Sequence, residues 1–185
     1  DKLTAELAFK IGRAAAYVLG HELDKKGIII GKDTRASGDM LEAALTAGIC
    51  SVGIDVYHLG VIPTPAIAYL TRHFDALAGI VISASHNPAE DNGIKFFNHQ
   101  GFKLSDEVED RIEEYIFSRS DEIEVSGATE VGRIRNIENA KDIYSGFLKT
   151  QIEADLTGLR VVLDCSNGAA SEIAPKLLQE LGLDL

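Results

Sequence analysis

Several things are scarce in this 185-residue chain, and each scarcity closes a class of function. There are only two cysteines, Cys50 and Cys165. One falls in an apolar helical pattern and one at a strand end, without metal-ligand spacing, so reduced structural thiols of a cytoplasmic protein are expected. No apolar stretch approaches the ~20 residues a membrane helix needs. Basic residues are also in the minority: 18 Lys and Arg stand against 29 Asp and Glu, a formal net charge of -11. That balance argues against a nucleic-acid surface, and any phosphorylated ligand has to be drawn by local cations rather than by the global field. The first residues show no charged segment followed by a continuous apolar core, so no secretory signal is expected. Asp1 in place of Met suggests a trimmed chain or a fragment.

What is present is ordinary for a soluble protein, with 45% hydrophobic and 25% charged residues. Short apolar runs at 28–30, 56–59 and 79–82 read as buried strands. Between and after them come helical patterns: Leu7, Ile11, Ala14 and Val18 behind a Thr4 cap; Leu41, Leu45, Gly48 and Val52 behind a Ser37 cap; a helix with Thr64 as its cap and Pro65 in its first position. A further helix opens at Ser105 and Asp106, and another spans 142–152. The charged stretch 118–136 reads as an irregular excursion with a short edge strand near 123–125. Beyond a break at 155–158, a strand at 159–163, a small-residue loop at 164–169 and a helix at 171–181 repeat the order of 27–52, with Pro175 in or near the first turns of that helix. The predicted fold is α/β: a three-layer α/β/α domain with a mixed sheet over 1–154, followed by the start of a second similar domain at 155–185.

One stretch stands apart. Residues 79–97 read GIVISASHNPAEDNGIKFF: a buried strand that empties within one residue into Ser83, Ser85, His86, Asn87 and Pro88. A turn at Asp91, Asn92 and Gly93 then sends a second strand back with Lys95 on it. Loops held at strand ends are where chemistry usually sits, although most loop serines serve only turns and caps. A hydrolase elbow would need Gly two places either side of the nucleophile, where Ser83 and Asn87 stand. His86 is next to Ser85, and neighbours on an extended chain point to opposite sides, which argues against it as the base of a triad. A serine without a strong base is a poor nucleophile toward carbon, yet as a phosphoryl carrier it needs mainly cations around it, and Lys95 is placed to supply one. In the loop at 31–38, Asp33 and Arg35 read first as a loop-fixing ion pair and second as a substrate contact.

The six loop residues 83–88 followed by Asp91, Asn92, Gly93 and Lys95 resemble the active-site serine loop of the α-D-phosphohexomutases. The segments GKDTRASGDMLEAALTAG and LGVIPTPAIAYLT extend the resemblance over most of the chain. It implies an enzyme that interconverts glucosamine 6-phosphate and glucosamine 1-phosphate through phospho-Ser85 and a bisphosphate intermediate, on the route to UDP-N-acetylglucosamine. It further implies catalytic roles for Ser85, His86 and Lys95, and substrate or loop support from Asn87 and Arg35. Mg2+ is implied as the cofactor, held by the Ser85 phosphate and an Asp-x-Asp-x-Asp loop. That aspartate loop is absent here, as is the family's opening Gly-Thr-Asp-Gly-x-Arg motif, so this piece is expected not to turn over alone. The expected partner is a hexosamine phosphate, with no nucleic acid and no membrane, and a homodimer of the full-length protein stays open. Glucose- or mannose-specific mutases share the same loop, and a non-catalytic sugar-phosphate-binding domain is the rival from another class.

Overall fold

The computed structural model describes residues 3–21 and 27–185. Its first element is α1 (Ala5–Gly20), started by Thr4, whose side-chain oxygen accepts from the Leu7 amide at 3.2 Å. Three short strands follow in alternation with helices: β1 (Ile28–Lys32), α2 (Gly38–Cys50), β2 (Val56–Val61), α3 (Thr64–His73) and β3 (Ala78–Ile82). β4 (Ile94–Asn98), α4 (Asp106–Phe117), β5 (Ile134–Asn136), α5 (Ala140–Thr150) and α6 (Ile173–Glu180) complete the order.

The strands form one sheet in the order β4-β3-β1-β2-β5. β1 pairs in parallel with β2 and β3, and β2 pairs in parallel with β5, while β4 runs antiparallel to β3. The sheet is therefore mixed, as expected. Alternation along β1 distributes its side chains to two cores: Ile28 and Ile30 pack among α1, α2 and α4, and Ile29 packs with α3 and α5 on the other face. All three are fully buried, which contributes roughly 1.5–3 kcal/mol each. Helices on both sheet faces give the three-layer α/β/α arrangement. α1 and α2 lie backbone to backbone, because a Cβ on Gly12 would stand 2.4 Å from the Leu45 carbonyl oxygen and one on Gly48 2.1 Å from that of Phe9.

Four expectations need correction. Ser37 precedes α2, but its side chain makes no capping bond and donates to Asn92 Oδ1 instead. α3 begins at Thr64 after Pro63, which puts Pro65 at the second helical position and leaves Thr64 inside the helix. No strand forms at 123–125; a 3-10 turn (Ser120–Glu122) precedes a buried Ile123, and the edge strand is β5, whose three residues are exposed and carry no apolar alternation to announce them. The run 159–163 makes only one bridge, Arg160 to Asp184, and Val162 is 100% exposed. A strand needs neighbours on its edges, and among the described residues the only chain beside this run is its own return at 183–185. α5 and α6 fall within two residues of expectation, with Pro175 third in α6, where no intrahelical donor is required.

Candidate active site

β3 delivers the serine loop to the carboxyl edge of the sheet. Ser83 is still buried; its amide donates to the Gly93 carbonyl at 2.9 Å and closes the hairpin that carries β4 back. Ser83 Oγ accepts from the Ser85 amide at 3.0 Å, so the first hydroxyl of the loop orients the second residue rather than facing solvent. Ser85 has φ 58°, the left-handed region that a residue with a Cβ adopts only when its surroundings hold it there. The hairpin register places Lys95 opposite Val81, and its Nζ donates to Ser85 Oγ at 2.7 Å. Both side chains are exposed. Ten residues of chain have thus been folded into one ammonium-to-hydroxyl contact.

The loop after β1 supports this from below. Arg35 Nε donates to Asp33 Oδ2 at 3.0 Å, which is the ion pair the sequence suggested, and both side chains are nearly buried. The rest of the guanidinium is spread over backbone oxygens of the serine loop: Ser85 at 3.1 Å, Asn87 at 2.9 Å, Asp91 at 3.1 Å and Pro88. Asn87 Nδ2 donates to Asp91 Oδ2 at 3.1 Å across the turn. His86 is exposed and, among the described residues, has no hydrogen-bond partner. The structure therefore brings Ser85, Lys95, Asn87 and Arg35 together and leaves His86 on the rim.

Ser85 opens onto a cleft of about 370 Å³ bounded by Thr34, Asn87, Ser166 and Gly168. The opposite wall was missed from sequence, where 164–169 read only as a small-residue loop. Ser166 and Asn167 both have positive φ, and the Asn167 carbonyl accepts from Thr34 Oγ1 at 2.9 Å across the cleft. The Asn-Gly pair was the available signal, since those residues tolerate such backbones.

A second polar cluster lies one strand away. Lys32, the last residue of β1, bonds Asp39 at 2.8 Å and also Glu42, whose side chain is buried beside it. Burial pulls the Lys32 ammonium down, but hydrogen bonds to Asp39 and Glu42 outweigh it and hold the group above the ordinary lysine value. Next to it, His58 shares a hydrogen bond of 2.8 Å with Thr46 Oγ1; burial holds its imidazole below the usual histidine value, against the opposing pull of Glu42.

Among the described residues no group of three or more His, Cys, Asp or Glu side chains could hold a metal ion. Near Ser85, the Asp33 carboxylate is committed to Arg35 and that of Asp91 to Asn87. Among the described residues the donor set does not fit a divalent cation beyond the oxygens a phosphate on Ser85 would add. The thiols are free, and burial pushes Cys50 up, away from a reactive thiolate. No helix among the described residues is long and apolar enough to cross a membrane.

With the fold and the loop in place, the comparison with known sequences is direct. Residues 1–122 match the family described as phosphoglucomutase/phosphomannomutase, alpha/beta/alpha domain I, and the chain belongs to that family. Within it, the chain is 59% identical over 184 residues to the phosphoglucosamine mutase of Carboxydothermus hydrogenoformans and 57% identical over 184 residues to that of Desulforamulus reducens. These alignments cover 99% and 100% of this chain but 41% of each relative, so the chain spans about two fifths of their length. Among solved structures, a phosphoglucomutase/phosphomannomutase family protein from Burkholderia thailandensis superimposes with a TM-score of 0.83 at 26% identity, over 99% of this chain and 40% of that one.

Proposed function

We propose that this chain is the phosphoryl-carrying part of a mutase that interconverts glucosamine 6-phosphate and glucosamine 1-phosphate, with Ser85 as the covalent carrier. The carrying observation is the 2.7 Å contact from Lys95 Nζ to Ser85 Oγ at the mouth of an open cleft. The choice of amino sugar rests on the names of the relatives that share more than half of this sequence.

In the forward step the substrate hydroxyl oxygen attacks phosphorus, a new P–O bond forms, and the bond from phosphorus to Ser85 Oγ breaks. One proton passes overall from the sugar hydroxyl to Ser85 Oγ, and Lys95 is placed to hand it over while stabilising the negative charge on the departing oxygen. An ammonium about 4 Å from a unit negative charge is worth roughly 4 kcal/mol at an effective dielectric near 20. The sugar bisphosphate then turns over and Ser85 Oγ attacks its other phosphorus: the new P–O bond restores the phosphoserine, the bond from phosphorus to the sugar oxygen breaks, and the serine proton passes overall to that oxygen as the product hydroxyl. Mg2+ belongs to this reading as a partner of the Ser85 phosphate whose other ligands lie outside this chain; Ser85 and Lys95 carry the steps above. The domain boundary at 154/155, a cytoplasmic location and the chain's inability to turn over alone are parts of the same proposal.

Two measurements test it. Intact mass of the full-length protein should show one phosphate that disappears in Ser85→Ala. Assays with glucosamine, glucose and mannose phosphates should favour the first; a preference for glucose or mannose phosphate would transfer the assignment to a different mutase of the same family.

A further inference from the structure

We infer that Arg35 is a positioning residue that sets the backbone of the serine loop, and through it the direction of the Ser85 hydroxyl, and that it does not grip the sugar phosphate. A guanidinium has five N–H donors in a planar fork, and here all five have acceptors. Nε is taken by Asp33 Oδ2, Nη1 by the carbonyls of Pro88 and Asp91, and Nη2 by those of Ser85 and Asn87. No donor is left over for a phosphate. The side chain is only 11% exposed although every carbonyl it serves belongs to an exposed loop, so it lies beneath that loop and presents little of its surface to the cleft it helps to line.

Besides Arg35, side chains hold the loop through the Ser85 amide to Ser83 Oγ, Asn87 Nδ2 to Asp91 Oδ2 and Lys95 Nζ to Ser85 Oγ, and none of these reaches the carbonyls of 85, 87, 88 or 91. Within 85–91 the backbone bonds are Asn87 N to Ala84 O at 3.2 Å and Asp91 N to Pro88 O at 3.1 Å. Ser85 nonetheless keeps a left-handed backbone, and its carbonyl is one of the four that Arg35 holds. Asp33 accepts from both the Arg35 amide and Nε, at 3.0 Å each, and so fixes the fork before the loop arrives. A lysine would keep the charge but present three donors from one point, which cannot reproduce two parallel pairs of bonds.

The activity arm of the test rests on the proposed function; the exchange arm does not. In the full-length protein, Arg35→Ala should lower kcat about 100-fold, the scale of an ångström-sized misplacement, with KM for the sugar phosphate nearly unchanged. Arg35→Lys should fall short of wild type despite its charge, and added guanidinium ion should partly restore Arg35→Ala. By hydrogen exchange, the Asn87 and Asp91 amides should exchange faster in Arg35→Ala, and to a lesser degree in Asp33→Asn, which keeps the protein testable if the alanine variant does not fold. A raised KM with kcat kept, a fully active Arg35→Lys, or unchanged exchange at both amides would overturn the inference. Ser85→Ala run alongside separates the two ideas: if it stays active the proposed function fails, and the exchange result still decides the role of Arg35.

Discussion

The Ser85 hydroxyl and the Lys95 ammonium stand in solvent and bond each other across a hairpin, whereas Lys32 on the neighbouring strand and Glu42 on the helix after it are largely buried and bond from sheet to helix. Lys95 and Ser85 are exposed, whereas the side chains of Lys32 and Glu42 are 14% and 11% exposed. β1 and β3 are parallel partners whose registers set Lys32 against Ile82, so both clusters sit at the carboxyl edge of one sheet. Position in the fold therefore does not separate them. Exposure does: a group that has to change bonding partners during a reaction cannot be sealed in, while a buried ion pair holds only if its partners never change.

The sharpest way to break the comparison is to remove the reactive oxygen. Ser85→Ala should lower mutase activity of the full-length protein on the order of 10³-fold or more, as expected for loss of a covalent carrier, and leave the denaturation midpoint where it was. Retained activity would move the chemistry elsewhere.

The buried cluster should respond the other way round. Lys32→Met leaves the Glu42 carboxylate without its cation, and one of its oxygens, Oε1, already has no hydrogen-bond partner. Urea unfolding should show a loss of about 3 kcal/mol. Glu42→Ala should cost less, because Lys32 keeps Asp39. Replacing both, as Lys32→Met with Glu42→Leu, should recover much of the loss, since a packed apolar pair avoids the cost of burying charge. A double variant as unstable as Lys32→Met alone would mean that packing, not charge, is at stake.

These two clusters were unequally legible in the sequence. The serine loop announces itself, because a buried strand breaking into hydroxyl, imidazole, amide and proline within one residue has few structural uses, and the Asn-Gly turn fixes where Lys95 returns. Arg35 was half legible: the spacing Asp33-x-Arg35 suggested an ion pair, but its bonds to carbonyls 50 or more residues away depend on β1 and β3 being neighbours. Nothing in the letters places Thr46 beside His58, so that contact was not legible at all. The missing strands share a cause. Apolar content suggested 159–163 and not 134–136, yet it is the edge offered by β2 that decides which of them becomes a strand.

A smaller effect concerns the far wall of the cleft. Thr34 Oγ1 donates to the Asn167 carbonyl in an exposed setting, so Thr34→Val should weaken that closure by about 1 kcal/mol or less. Limited proteolysis should then cut the segment 164–169 sooner, with phosphate uptake at Ser85 unchanged. A large drop in uptake would make this wall part of the chemistry rather than its boundary.

The smallest expected effect comes from protons on His58. Burial holds its folded value below the usual 6.5, with Lys32 adding to that and Glu42 opposing it. In the window below 6.5 the unfolded chain thus binds a proton that the folded chain resists, so stability falls as pH drops through the unfolded value and levels off once the folded imidazole also titrates. A single proton limits the slope to about 1.4 kcal/mol per pH unit, and the opposition from Glu42 keeps it lower. His58→Gln retains a side chain able to reach Thr46 Oγ1 but cannot titrate. Unfolding midpoints at pH 7.5, 6.5 and 5.5 should therefore fall less steeply in that variant than in the parent. Parallel curves would mean that Glu42 fully compensates the burial of His58, and that the sealed cluster is as indifferent to acid as an apolar core.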